Sequence, residues 1–334
     1  MSDTDPAQTL PASVPPHDKA PQWLLDQGTV MPLPATPTHA QWLAQRREGI
    51  GSSDAAAVLG ISPWRSEFEL YLDKLGELPP QPDSPALYWG RRLEPLVLAV
   101  YAEVRGVAVV RPPALRSLAH PCMQLNADAL AVDQRLVEAK CARTGEGWGE
   151  PHTDEIPPFY LAQCQHGMAV TGLPVADVPV LIGGNDFRIY TVRADPAIQE
   201  VLIEQELAFW QHVQRREPPP IERLPDVKLR FGRHSAKGAV PADASMIDAI
   251  AFLRTGALVM AEQEAALDEK RAAVMAFLGE RGDTLVDAAG KPMATWKLPA
   301  APNRFDTELF AAEHPELYQR YLRKGTASRR LLIK

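Results

Sequence analysis

The pattern of apolar residues along the chain becomes periodic near His39. Apolar positions recur every three or four residues in several stretches, as on one face of an α-helix. Helices are therefore expected within 40–48, after Ser53, over 66–75 and 86–106, and later over 158–170 and 195–216. Ser53 and Ser66 stand where N-caps would lie, and Gly60 stands where the second helix would end.

Between the 86–106 and 158–170 helices the pattern changes to that of β-strands. Strands are expected at 107–110, 114–119, 123–132 and 135–141, and again at 175–184 and 187–194. The order of helices, β-meander, helix, two strands and helix predicts an α/β (α+β) fold with a central mixed sheet flanked by helices.

Proline-rich segments divide the chain. Residues 1–38 hold eight prolines and are expected to be mostly disordered, with local docking around Trp23. The main domain is expected at 39–220, up to three consecutive prolines. Residues 221–334 are expected to form a mostly helical extension, with a helical arm interrupted at Gly256, a small β-hairpin around Gly290 and a basic tail.

Composition narrows the class of protein. Three widely spaced cysteines argue against a disulfide framework and against a zinc or iron–sulfur site, and no phosphate-binding GxxxxGK[ST] loop is present. We expect a cytoplasmic protein without a membrane-spanning helix, since no run of about 18 apolar residues occurs. The net charge of −7 argues mildly against a nucleic-acid partner, but basic residues cluster at 223–237 and 320–334.

The stretch LVEAKC at 136–141 places an acid and a base in an apolar strand. Glu138 and Lys140 are expected on one face, about 7 Å apart. If 123–132 pairs with 135–141 through a short turn, Asp128 approaches Glu138. Two carboxylates that repel each other can be neutralised by a divalent cation, which suits metal-assisted hydrolysis of a phosphodiester. A solvated surface hairpin is the alternative interpretation of so short a pattern.

Four segments taken together are more specific. They are WLAQRREGIGSSDAAAVLG, WGRRLEPLVLAVYAEVRG, LNADALAVDQRLVEAKC and YLAQCQHGMAVTG, within about 39–215. In this order and spacing they resemble the YqaJ-type viral recombinase family, which is lambda exonuclease-like and lies within the PD-(D/E)xK nuclease superfamily. The resemblance implies a restriction-endonuclease-like core and a metal-dependent exonuclease, which degrades linear double-stranded DNA 5′→3′ and so exposes single strands for annealing.

The resemblance also implies roles for individual residues. Asp128, Glu138 and Glu94 would hold Mg²⁺ or Mn²⁺, Lys140 would be the catalytic lysine, and Gln163 would support it or the attacking water. Arg46 and Ser53 would bind the 5′-phosphate, aided by free N–H groups of the helix after Ser53.

One motif departs from the family pattern. The family's S-P-D-G is N-A-D-A here, so Asn126 replaces the serine and is the candidate for its contact with DNA phosphate, while the metal ligand Asp128 is kept.

The resemblance also implies three kinds of partner: the ends of double-stranded DNA, further copies of the chain in a trimeric ring, and a single-strand annealing protein. Two other functions stay open. One is a catalytically silent DNA-binding scaffold of the same fold, and the other is a repair or structure-specific endonuclease. The 221–334 extension could grip DNA, mediate oligomerisation or serve only as a structural appendage.

Overall fold

In the computed structural model of the chain, the residues described are 19–36, 38–78, 84–221, 223–235, 237–325 and 327–334. The chain divides into two compact units, residues 1–227 and 228–334. The helices are α1 Gln22–Leu25, α2 His39–Arg47, α3 Ala55–Val58, α4 Glu67–Lys74, α5 Pro85–Arg105, α6 Pro158–Thr171, α7 Pro196–Arg215, α8 Leu224–Phe231, α9 Ala244–Leu278, α10 Thr307–Glu313 and α11 Pro315–Tyr321.

The strands form two mixed sheets in the first unit and a hairpin in the second. They are β1 Val30–Pro32, β2 Ile50–Gly51, β3 Val109–Val110, β4 Leu115–Ser117, β5 Met123–Leu125, β6 Ala129–Ala131, β7 Arg135–Val137, β8 Lys140–Ala142, β9 Val175–Ile182, β10 Asp186–Arg193, β11 Thr284–Val286 and β12 Pro292–Thr295. The larger sheet has the order β10-β9-β7-β6-β3 with β8 beside β9, and the smaller has the order β1-β4-β5-β2. Strands β7 and β8 run parallel to β9, while β6 runs antiparallel to β7, so the expected α/β fold with a mixed sheet is confirmed.

Capping residues explain where the helices near the sheet begin and end. The Ser66 hydroxyl accepts from the Glu69 N–H and the Glu69 carboxylate accepts from the Ser66 N–H, as the capping-box pattern predicted. Helix α5 starts at the Ser84 N-cap with Pro85 as its first residue, and ends at Gly106 in the left-handed region.

A buried carboxylate fixes α5 against the larger sheet. Asp177 of β9 accepts hydrogen bonds from the Tyr101 hydroxyl at 2.9 Å, the Thr191 hydroxyl at 2.6 Å and the Arg135 guanidinium at 3.1 Å. Because buried charges are stable only when paired, this network sets the position of α5, the helix that carries Glu94.

The segment expected to be disordered is partly folded. Residues 19–36 contain α1 and β1, and Leu24 and Val30 are buried in the main hydrophobic core. Pairing of β1 with β4 supplies the backbone hydrogen bonds that the local sequence does not. The disordered lead-in therefore does not extend over 19–36, and residues 1–18 and 37 lie outside the described residues.

The two long strands expected around the candidate site are each interrupted. The 123–132 stretch forms β5 and β6, which belong to different sheets, and 135–141 forms β7 and the start of β8. The expectation of two continuous strands is therefore wrong. Tertiary pairing overrides the local pattern, because β5 joins β4 while β6 joins β3 and β7.

In the second unit, α9 continues through Gly256, so the expected interruption there is wrong. A single glycine costs only about 1 kcal/mol in a helix interior, which a helix of 35 residues tolerates. By length and composition alone, α9 could cross a membrane. Length and composition are weak support for a span, and the first half of α9 carries Asp248 and Arg254.

Candidate active site

The breaks in the two strands create the candidate site. After β5 the chain leaves the smaller sheet, and Asp128 stands just before β6. Its Oδ2 accepts a hydrogen bond of 2.9 Å from the Ala139 N–H, at the break between β7 and β8. The carboxylate thus satisfies a backbone donor that β-pairing leaves free, and it holds the two interrupted strands together.

The break between β7 and β8 does not change the register with β9. Val137 pairs with Asp177 and Lys140 pairs with Val180, which is the same step of three residues on both strands. Glu138 is buried and Lys140 is half-buried beside it. Their side chains meet although the intervening backbone is irregular, with Lys140 Nζ 2.5 Å from Glu138 Oε1.

Helix α6 completes the surroundings of the lysine. Gln163 accepts a hydrogen bond from Lys140 Nζ at 3.2 Å and donates its own Nε2 hydrogen to Glu138 Oε1 at 2.5 Å. The Lys140 ammonium also lies 4.9 Å from the centroid of the Tyr160 ring. These contacts fix the rotamer and the direction of the ammonium, which is the preorganisation that electrostatic catalysis needs.

The pKa shifts show how strongly the charged groups interact. Burial, and then the neighbouring Glu138, raise the pKa of Asp128 to about 7, although Lys140 opposes this. Burial disfavours the Lys140 ammonium, but Glu138 and Asp128 outweigh burial and hold the pKa of Lys140 above its usual value. Lys140 therefore stays charged at neutral pH, while Asp128 lacks sufficient positive charge near it.

The carboxylates fit a hard cation. In the contacts described above Asp128 uses only Oδ2 and Glu138 only Oε1, so each has a second oxygen to offer. Carboxylate oxygens are the ligands that Mg²⁺ and Mn²⁺ accept, and a cation would relieve the repulsion that raises the pKa of Asp128. Within the residues that the structure describes, no set of three acidic, His or Cys side chains is grouped closely enough to hold a metal ion.

Glu94 makes a different contact from the one expected for a metal ligand. Its carboxylate on α5 forms an ion pair with Arg111, just after β3. The Nε of Arg111 in turn donates to the main-chain carbonyl of Asp128 at 3.2 Å. Glu94 is therefore linked to the Asp128 segment through the Arg111 guanidinium. A cation bound at Asp128 and Glu138 would have these two protein carboxylates as ligands.

A second cluster surrounds Arg46 and Ser53, the residues expected to bind a terminal phosphate. Arg46 Nη2 donates to the Ser53 hydroxyl at 3.0 Å, and the guanidinium lies over the Trp42 ring at 4.9 Å. The sequence predicted that Ser53 is the N-cap of a helix ending at Gly60, and this is wrong. Ser53 sits in a 3-10 turn, Ser52–Asp54, followed by the one-turn helix α3, because the Asp54 carboxylate accepts the Gly51 N–H and tightens the turn.

Asp54 is the buried anchor of this second cluster. Its carboxylate contacts the Lys74 ammonium at 2.6 Å, Arg46 at 3.3 Å and Arg65 at 3.4 Å. Burial opposes ionisation of Asp54, yet Lys74, Arg46 and Arg65 together hold its pKa well below the usual range. Arg65 also pairs with Asp73 at 3.0 Å, so three cations meet two carboxylates. One net positive charge remains, and the half-exposed Arg46 and Arg65 present it to solvent.

Aromatic rings connect the two clusters. Trp64, next to Arg65, is 66% exposed, and its ring centroid lies 4.8 Å from that of Phe159 and 5.9 Å from that of Tyr160. Tyr160 is the ring beneath Lys140. Asn126 is exposed in the loop between β5 and β6, two residues before Asp128.

Sequence reasoning missed several residues at these clusters: Asp54, Trp64, Arg65, Lys74 and Arg111. One signal was available, since Lys74 lies on the apolar face of α4 and a lysine there requires a buried partner. Arg111 carried no comparable signal, because its role depends on the pairing of β3 with β6.

Comparison with known proteins agrees with the family that the four sequence motifs resemble. Residues 41–174 match the model of the YqaJ-like viral recombinase domain. The chain is 29% identical over 306 residues to the uncharacterized protein YqaJ of Bacillus subtilis (strain 168), covering 88% of this chain and 93% of that protein.

Two crystal structures are also similar. One is an alkaline exonuclease from Laribacter hongkongensis, with 23% identity, 53% of this chain and 94% of that chain covered, and a TM-score of 0.46. The other is a phage-related exonuclease from Haemophilus somnus 129PT, with 14% identity, 50% and 94% covered, and a TM-score of 0.40.

Both clusters, from Arg46 to Gln163, lie within the matched residues. The chain is therefore similar, at residues 41–174, to the YqaJ-like viral recombinase domain.

Proposed function

We propose that this protein is a metal-dependent DNA exonuclease of phage-type recombination. The observation that carries the proposal is the convergence of Asp128, Glu138, Lys140 and Gln163 at the broken strands, within the residues that are similar to a viral recombinase domain. A buried lysine held between carboxylates at a site that accepts a hard cation suits hydrolysis of a phosphodiester better than DNA binding alone.

Mg²⁺ or Mn²⁺ bound at Asp128 and Glu138 would polarise the scissile phosphate and lower the pKa of a bound water. Glu138 would then share its charge between the cation and the Lys140 ammonium. Gln163 accepts from Lys140 and donates to the same Glu138 oxygen, which fixes the ammonium where it would stabilise developing negative charge. The Lys140 ammonium, held by Glu138 and Gln163, would act electrostatically on that charge.

The Arg46 cluster supports recognition of a terminal 5′-phosphate. Arg46 and the Ser53 hydroxyl form a donor pair whose geometry is fixed by Asp54 beneath them. A guanidinium can bind two phosphate oxygens at once, and Arg65 adds charge beside it. Trp64, the neighbour of Arg65, contacts Tyr160, and Lys140 lies over the Tyr160 ring. These contacts support cutting close to a bound 5′ end and hence 5′→3′ digestion.

The same proposal includes partners. A nuclease that exposes single strands is useful for recombination only when an annealing protein takes up the product. The family resemblance further supports a trimeric ring of identical subunits around double-stranded DNA. The 221–334 segment would be an accessory region outside the 39–220 nuclease domain.

The decisive experiment is digestion of end-labelled linear duplex DNA with Mg²⁺ by the Lys140→Ala variant. We expect loss of cleavage by at least a factor of about 100, because the ammonium stabilises charge formed only in the transition state. Binding of DNA, measured by fluorescence anisotropy, should remain. Cys141→Ser, which changes the exposed neighbour, should cleave like the wild type. Unchanged cleavage by Lys140→Ala would refute the proposed site.

Two further substrates separate the alternatives. A 5′-phosphorylated duplex should be degraded faster than its 5′-hydroxyl counterpart, and Arg46→Ala should remove that difference. Closed circular DNA should stay intact, whereas an endonuclease would cut it. A silent scaffold would bind the linear duplex and leave it undigested at every Mg²⁺ and Mn²⁺ concentration.

A further inference from the structure

Helix α9 of the second unit carries a row of large apolar side chains that repeats every seven residues. The members of this row are Met246, Leu253, Met260, Leu267 and Val274. Each of them is between 37% and 72% exposed, and within the described residues of α9 only Leu278 is buried. Because exposure of so much contiguous apolar surface to water is unfavourable, a row of this length marks a binding surface.

The seven-residue period favours another helix as the binding partner. A straight α-helix has 3.6 residues per turn, so a row with a strict period of seven stays in line only when two helices supercoil around each other. A second row lies four residues after each member of the first and consists of Ile250, Ala257, Glu264, Arg271 and Leu278. The first row takes the d positions of a coiled coil and the second takes the a positions. The two rows form a seam along the helix, which is about 52 Å long.

A lipid bilayer fits this helix less well than a second helix does. Phe252, Leu258 and Val259 make the first half of α9 apolar on other sides, but the charged stretch 262–271 occupies the second half. The d row continues through that stretch, with Leu267 inside it. A row that stays apolar where the rest of the helix becomes charged is typical of a seam between helices and not of a membrane span.

The charges on the seam favour a second copy of the chain that runs in the antiparallel direction. In a parallel pair each a position faces itself, so the two copies of Glu264 would meet, as would the two copies of Arg271. Like charges at such short range repel each other. An antiparallel pair centred at Glu262 instead places each a position beside a d position of the other copy, so neither charge faces its like.

The same antiparallel alignment brings opposite charges together at the edge of the seam. Arg254 and Asp268 each directly follow a residue of the d row, and Arg254 of each copy comes to lie beside Asp268 of the other. In a parallel pair Arg254 would instead lie beside Ala249. Both charged residues are exposed in the single chain, where Arg254 donates to the main-chain carbonyl of Lys334 and Asp268 pairs with Arg271 at 2.6 Å. Charge complementarity therefore selects the antiparallel pair.

We propose that α9 joins two copies of this chain as an antiparallel two-helix coiled coil, with the two-fold axis at the level of Glu262. The contact lies outside the 39–220 domain and does not depend on the function proposed for that domain. A two-fold contact closes after two copies, so it doubles whatever assembly the 39–220 domain forms by itself, and a ring would pair with a second ring.

Sedimentation equilibrium of the full-length protein tests the seam with two matched leucines. Leu267→Glu places a charge in the d row of both copies, so the mass of the assembly should fall by half and the dissociation constant should rise about 100-fold or more. Leu258→Glu places the same charge on the same helix outside the seam and should leave the mass unchanged. Circular dichroism checks that both variants remain helical. An unchanged mass for Leu267→Glu, or an equal fall for both variants, would overturn the proposal.

Exchange of charges tests the direction of the pair, and it applies even where Leu267→Glu does not fold. Arg254→Glu and Asp268→Arg should each weaken self-association about tenfold, because each sets two like charges against each other across the interface. A mixture of the two variants should recover the association of the wild type, since each altered side chain then meets an opposite charge in the other copy. Thr255→Glu, on the outward side of α9, should associate like the wild type.

Two results would contradict the antiparallel pair directly. One is a mixture of Arg254→Glu and Asp268→Arg that associates no better than either variant alone. The other is flotation of the wild type and of Leu267→Glu alike with phosphatidylcholine vesicles, which would identify α9 as a membrane helix. Halving of the mass together with recovery in the mixture supports the proposal, whether or not the protein cleaves DNA.

Discussion

Asp128 should destabilise the metal-free protein at the pH where the enzyme would work. Burial and the nearby Glu138 raise its pKa from 3.8 to about 7 in the folded state. Folding stability that is present below about pH 4 is therefore lost progressively as the pH rises through 7, because the folded state resists ionisation of this carboxyl. The Asp128→Asn variant carries no charge there and should escape the loss.

The magnitude follows from the size of the pKa shift. A rise from 3.8 to about 7 corresponds to a ceiling of about 4 kcal/mol at pH 8. Asp128 is half-buried and shares its repulsion with Glu138, so water and local relaxation should reduce the effect to about 1–3 kcal/mol. An asparagine can still accept the hydrogen bond from the Ala139 N–H, which keeps the substitution close to isosteric.

Urea unfolding of the EDTA-treated proteins at pH 5 and pH 8 measures the effect. The stability advantage of Asp128→Asn over the wild type should grow between these two pH values. Asp154→Asn, which changes an exposed carboxylate, should show no such growth. Excess Mn²⁺ should reverse the order by stabilising only the wild type, by about 2.7 kcal/mol at a hundredfold excess over the dissociation constant. An advantage that is absent at pH 8, or that shrinks on going there, would refute the reasoning.

Two further predictions concern stability of the Arg46 cluster and its surroundings. Gly49→Ala should cost about 1–3 kcal/mol in urea unfolding, because its Cβ would lie 2.5 Å from the main-chain oxygen of Cys122. Gly90→Ala, with open space around it inside α5, should instead stabilise by about 0.5–1 kcal/mol, and equal effects of the two substitutions would contradict the packing argument. Asp54→Asn should cost about 3–5 kcal/mol at pH 7, since it leaves the buried Lys74 without its counter-charge. Because the pKa of Asp54 is lowered by folding, this cost should shrink as the pH falls below about 4, and a cost independent of pH would count against the ion pair.

The periodicity of apolar residues was sufficient to predict the elements whose stability is mostly local. Helices α5, α6 and α7 carry apolar residues at helical spacing together with N-terminal proline, and α5 and α6 end at glycines in the left-handed region. In the long strands β9 and β10, apolar residues alternate with polar ones or form a continuous run, and turn residues flank each strand. Such patterns report burial and capping directly, so a reader of the sequence needs no knowledge of distant contacts.

Periodicity failed where a strand is held by partners from elsewhere in the chain. The Asn126–Asp128 and Glu138–Ala139 segments lie within apolar patterns, yet the strands break there because the Asp128 side chain takes a backbone donor. Helix α9 passes through Gly256 because its length outweighs one unfavourable residue. The strand breaks depend on hydrogen bonds to other parts of the chain, whereas the continuity of α9 depends on its length.

The sequence by itself determined which chemical groups are present and that Asp128, Glu138 and Lys140 would lie near one another, because short strand spacing brings them together. Only the tertiary structure decided that Arg111 reaches Glu94, that Asp54 and Lys74 are buried under Arg46, and that Trp64 joins the two clusters. Electrostatic contacts between residues far apart in sequence require the strands and helices to be packed first, and the apolar pattern of each element carries no information about which charged side chain lies across from it.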